Sequence, residues 1–261
     1  MFKLMKYEFR KWRTVLLAML GSLAALEIGF VLGQNLNKTG LMATCLGLIT
    51  ILTFAAFASL LIAGIASYSQ ELNQKSGYLI FMTPVPTLGV VLSKLLFIVV
   101  VALASMALFG AAAYFDFRYL INKLDLDEET LNQINMLLRF GLKANASMQQ
   151  IVQMALFTAG TVLIEVLLTM TTAYLSVTLS ATLMQNKKGF LRALVSLVLF
   201  VALTWGASWV SQKLLYDRIS GVSASVGELR GTLGWSALLN FGFCALFTGA
   251  STWLLEHKVN L

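Results

Sequence analysis

The sequence predicts an all-α, polytopic membrane protein: six transmembrane helices, an N-terminal interfacial helix, and both termini cytoplasmic. Three observations lead there. Of the 261 residues, 58% are hydrophobic and only 12% charged, about half the charged fraction of a soluble domain. The charges also cluster. Gly40–Gln70, Leu95–Phe115, Ala193–Gln212 and Gly231–Leu255 carry none, while Thr14–Asn37 and Ala144–Asn186 carry one glutamate each, Glu27 and Glu165. Finally, the apolar runs are continuous, which excludes the alternating strands of a membrane barrel. A helix needs about 20 apolar residues to cross the hydrocarbon core. Segments 14–34, 42–69, 88–114, 151–184, 191–212 and 235–255 meet that requirement.

Taken in order, residues 1–13 (MFKLMKYEFRKWR) place Met1, Met5, Phe9 and Trp12 at helical spacing, with Lys3, Lys6, Arg10 and Lys11 mostly elsewhere around the helix. That pattern suits a helix lying at the membrane surface, its apolar side towards acyl chains and its basic side towards anionic head groups. A cleaved leader ending at Ser22-Leu23-Ala24 is the weaker reading, because the apolar run continues past that site. The first loop, Gln34–Gly40, is short. Segment 116–150 is long enough to hold an external helix in LDLDEETLNQINMLLRFG: Asp125 or Asp127 caps it, Leu131, Ile134 and Leu138 form an apolar face, and Gly141 ends it. Ser147 and Gln150 have capping-box spacing for the fourth span. Segment 213–234 reads as a polar external loop, Gly- and Ser-rich up to Arg230. With no soluble domain, repeat or low-complexity tract evident, residues 1–261 read as one transmembrane domain.

The net charge of +7 reads as topology. With the N-terminus inside, inward segments hold eleven basic residues against three acidic ones, and outward segments hold eight against seven. Lysine and arginine favour the cytoplasmic side. Asn37-Lys38-Thr39 and Asn145-Ala146-Ser147 fit the glycosylation pattern, as many chance tripeptides do.

Several chemistries find no residues to carry them. There is no P-loop and no His-Glu-x-x-His. One histidine, His257, cannot build a catalytic triad, and Cys45 and Cys244 lie in separate spans without metal-ligand spacing. No basic groove accompanies the aromatics, so nucleic acid has no platform. The expectation is a chain with no catalytic residue, no metal and no cofactor of its own.

The most informative stretch is ELNQKSGYLIFMTPVPTLGVVLSKLL, Glu71–Leu96, which holds both prolines of the chain. Segment 70–87 joins two spans. Tyr78, Leu79, Phe81 and Met82 give a short helix one aromatic and apolar side. Pro84 ends that helix, and Pro86 starts the third span, where a missing N–H costs nothing. The prolines would thus fix the angle between a surface helix and a membrane helix. Glu71 and Lys75 add charges for a partner's rim.

An aromatic N-terminal segment, six spans, a Glu-led loop ending in Thr83-Pro84-Val85-Pro86 and a third span bearing Lys94 together resemble the membrane subunits of ABC exporters, in the type-2 permease family. The end, Trp253-Leu254-Leu255-Glu256-His257-Lys258, is similar to that family's basic C-terminus. The resemblance implies that the short helix couples to a separate ABC ATP-binding subunit, which holds ATP and Mg. It further implies a second permease subunit, identical or related, in the plasma membrane. The external segments are similar to those of compact permeases for peptides, antibiotics and bacteriocin immunity, implying an amphipathic peptide, antibiotic or lipid-like cargo. Membrane lipids are the remaining expected partner.

Glu27 and Glu165 stand apart. An ionisable side chain in hydrocarbon usually faces a bundle interior or a water-filled cavity. Each is either a structural glutamate hydrogen-bonded to a neighbouring Thr, Ser or Tyr, or a member of a translocation pathway. A self-contained proton-coupled carrier using Glu27 or Glu165 is the main alternative function, and a non-transporting sensor or scaffold is another.

Overall fold

The computed structural model describes residues 2–36, 38–73, 87–123, 148–184, 190–219 and 226–257. They form six helices: α1 (Phe2–Asn35), α2 (Thr39–Asn73), α3 (Thr87–Lys123), α4 (Met148–Leu183), α5 (Phe190–Ile219) and α6 (Val226–His257). Each contains a stretch long and apolar enough to cross a membrane: Met5–Gly33, Gly40–Leu72, Thr87–Asp116, Leu156–Leu183, Phe190–Leu214 and Gly231–His257. Among the described residues the architecture is all-helical, with six helices fit to cross a membrane. Large apolar side chains such as Leu17, Ile51, Phe54, Leu197, Val201 and Phe241 are exposed, as expected where the surrounding solvent is acyl chains.

Two features differ from the sequence expectation. No separate interfacial helix precedes the first span: α1 runs unbroken from Phe2 to Asn35. Nothing between Arg13 and Thr14 would turn the chain, since the segment holds no proline and no glycine until Gly21. At 34 residues, the helix is about 50 Å long, well beyond what the hydrocarbon core requires. Secondly, the helices invade the expected loops. α3 extends to Lys123, α5 to Ile219, and α6 begins at Val226, so most of 213–234 is helical. The expected helix within 124–147 and the coupling segment 74–86 lie outside the described residues.

The chain divides into two compact units, Met1–Phe115 and Asp116–Leu261. In the first, α1 and α2 pack as a close antiparallel pair. Their turn is tight: the Lys38 N–H donates to the Gly33 carbonyl at 2.9 Å, and the Lys38 carbonyl accepts from the N–H groups of Leu41 and Met42. Gly29 and Gly33, one turn apart on one face of α1, let the backbones approach, as small residues four apart do in membranes. A Cβ on Gly33 would lie 2.6 Å from Leu41 Cδ2 and 3.2 Å from the Met42 backbone nitrogen, and one on Gly29 would lie 3.1 Å from Cys45 Sγ. In the second unit α4 is central, packing on α5 and α6. Met170–Thr178 is buried without interruption. Serines and threonines there return their hydroxyl protons to carbonyls of the preceding turn, as Thr178 does to Tyr174 at 2.8 Å, so their burial leaves no orphan donor.

The Gly33 contact gives a direct prediction. Gly33→Leu should destabilise the α1–α2 pair by about 1–3 kcal/mol, the usual range for overpacking. Gly21→Ala, where a Cβ meets nothing within 4 Å, should be neutral or slightly stabilising. Thermal unfolding of the two purified variants in one detergent checks both. Equal melting temperatures would remove the close-approach role.

Candidate functional site

Ionisable residues gather where the start of α1, the end of α2 and the start of α3 meet. Lys94 lies two turns into α3, between carboxylates from the other two helices. Its Nζ donates to Glu8 Oε1 at 2.5 Å and to Glu71 Oε1 at 2.7 Å. All three are buried, at 5%, 6% and 9% exposure for Lys94, Glu8 and Glu71, too dry for the lysine to stand without partners. Ser67 of α2 extends the network: its Oγ donates to Glu8 Oε2 at 3.5 Å and accepts from Lys11 Nζ at 2.9 Å. With Lys11 included, two positive and two negative groups balance. Such a cluster binds its members by geometry: removing one partner leaves an uncompensated buried charge.

This arrangement changes the reading of Glu71. The sequence offers it to a partner's rim, but here its Oε1 holds Lys94 within the chain. Its Oε2 is buried with no hydrogen-bond partner among the described residues, and Glu71 stands three residues before the segment 74–86. The other residues expected to couple, Lys75, Tyr78, Leu79, Phe81, Met82, Pro84 and Pro86, lie in that segment, outside the described residues. Sequence reasoning missed Glu8 and Ser67. The signal for Glu8 was available: it is the single acid among the basic residues of 1–13.

From that end an apolar groove of about 500 Å³ runs between α1 and α3 as far as Leu23 and Phe109, lined by Met5, Phe9, Leu16, Phe97 and Val101 among others. Met5 and Phe9, expected to face acyl chains, line this groove.

The two intramembrane glutamates have different surroundings. Glu27 is half-buried on α1. In the second unit Glu165, near the middle of α4, accepts a 2.6 Å hydrogen bond at Oε1 from Asn240 Nδ2 of α6. Both border a cavity of about 340 Å³ among α4, α5 and α6. The expectation of a hydrogen-bonded glutamate named Thr, Ser or Tyr as donor; the donor is an amide. Asn240 was legible only as a lone strongly polar group in the uncharged run 231–255.

The cluster predicts an asymmetric response. Lys94→Met leaves two buried carboxylates facing each other and should cost about 3–5 kcal/mol, the range for breaking a buried pair from one side. Lys94→Met combined with Glu8→Gln and Glu71→Gln removes the repulsion and should recover most of that loss. Melting curves of the single and triple variants test this, and a triple variant no more stable than the single one would contradict it.

Compared with known protein families, with curated proteins and with solved structures, the chain finds no match.

Proposed function

We propose that the chain is the membrane-spanning permease subunit of an ATP-driven ABC exporter. It works in the plasma membrane beside a second permease subunit and a separate ATP-binding subunit that holds ATP and Mg. The cargo is an amphipathic peptide, antibiotic or lipid-like molecule moved outward. The observation that supports this best is the ion pair between Glu71 and Lys94. These residues flank the stretch whose Thr-Pro-Val-Pro and aromatic face resemble a coupling segment. Force delivered to that stretch must reach the spans through α2 and α3. A buried lysine clamping both helices to α1 makes the three move together, whereas an unpinned connection would absorb the push locally.

A self-contained proton-coupled carrier is the second reading, favoured by Glu165 bordering an intramembrane cavity. It requires transport by the chain alone in sealed vesicles under a proton gradient. The exporter reading expects none without the ATP-binding partner.

Phe81→Asp should lower export and co-purification of the ATP-binding subunit together, by at least tenfold, because a buried aromatic anchor commonly dominates such an interface. The permease should still reach the membrane. Pro84→Ala should weaken export less. Retention of both binding and export by Phe81→Asp would refute the coupling role.

For topology, cysteines placed at Leu126 and Ser223 should label from outside intact cells, and those at Lys75 and Lys187 only after permeabilisation. External labelling at Lys187 would overturn the assignment.

A further inference from the structure

The cavity at Glu165 has a chemical selectivity that can be read from its walls. Glu165 on α4, Thr204 on α5 and Asn240 on α6 each lie near the middle of their helix, and the cavity runs from there to Gln212 and Ser236 near the ends of their spans. Among the described residues, no lysine, arginine or histidine lines it. Beside the hydroxyls of Ser208, Ser211 and Ser236 and the amide of Gln212, several of its polar groups present acceptors. Thr169 Oγ1 donates to the Glu165 carbonyl at 2.8 Å, Thr172 Oγ1 to the Leu168 and Thr169 carbonyls at 2.9 Å, and Thr204 Oγ1 to the Phe200 carbonyl at 2.8 Å. With those protons committed, these three threonine oxygens have only lone pairs left to offer. One N–H of the Asn240 amide is on Glu165 Oε1, and its oxygen remains an acceptor beside the second N–H. Glu165 itself is exposed rather than packed away.

A site with one carboxylate, several lone pairs and, among the described residues, no cation disfavours anions and suits a ligand that brings both positive charge and N–H donors. Its size narrows the class further. A volume of about 340 Å³ falls in the range of small-molecule pockets, far more than a bare metal ion occupies. Leu168 and Ala207 in the wall give an aliphatic body somewhere to lie. We propose that this cavity binds the primary ammonium group of an amphipathic amine, with Glu165 as the counter-ion and Asn240 holding the carboxylate in place. That such an amine is the transported cargo rests on the exporter reading; the recognition itself does not.

The test is binding to the full chain in phosphatidylcholine nanodiscs, by equilibrium dialysis of octylammonium against empty discs. Octylammonium should bind saturably, and octanol and octanoate should not compete. Glu165→Gln, nearly isosteric, should lose at least tenfold in affinity. Ser208→Leu, which fills the cavity while keeping the carboxylate, should also lose binding, and it covers the case in which Glu165→Gln fails to fold. Adding phosphatidylethanolamine to the discs separates two sources of the same group: competition assigns the ammonium to a lipid head group, and its absence to a free amine. Wild-type affinity in either variant, equal competition by octanoate, or displacement of octylammonium by millimolar sodium would overturn the proposal. Because no ATP-binding subunit is present, failure here leaves the coupling test intact, and failure there leaves this one standing.

Discussion

The buried ammonium of Lys94 is the constraint around which the first unit is organised. A lone charge in a dry interior costs several kcal/mol even after relaxation, so the lysine must find carboxylates that its own helix does not supply. It finds one on α1 and one on α2. That requirement sets the register of three helices at one end, because sliding any of them by a turn, about 5 Å, would strand a charge. At the opposite end of the α1–α2 pair the fit is steric, with Gly29 and Gly33 meeting α2 near the turn. One end is therefore fixed by charge and the other by close backbone contact.

The second unit handles its ionisable group in another way. Among the described residues, Glu165 has a neutral amide partner rather than a cation, and it borders a cavity. A carboxylate held by an amide is oriented but not neutralised, so it keeps an attraction for a positive ligand. Lys94, between two carboxylates, has no such capacity left. The same chemistry thus yields a charge-paired joint in one unit and a carboxylate beside a cavity in the other, the difference lying in whether the partner carries charge.

The chain's spans were legible because hydrocarbon imposes a one-dimensional demand. About 20 apolar residues must follow one another, and a scan for uncharged runs finds them. Glu27 and Glu165 were conspicuous for the same reason. The structure does not set an interfacial helix apart from the first span. The apolar side of 1–13 is real, but Met5 and Phe9 line a groove against α3, and Glu8 points into a protein interior. Periodicity reveals that a helix has an apolar face, not what covers it.

By itself, then, the sequence determined the helical architecture, the six segments apolar enough to span a membrane and the two glutamates within them, since each follows from the solvation cost of single residues or short runs. It did not reveal that Glu8, Glu71 and Lys94 meet, that Gly33 is a contact point, or that Asn240 holds Glu165. Glu8 and Lys94 are 86 positions apart, and Glu165 and Asn240 are 75 apart. No local rule of spacing joins such residues. Only the packing of helices, which brings distant turns to the same depth, decides which polar groups become partners.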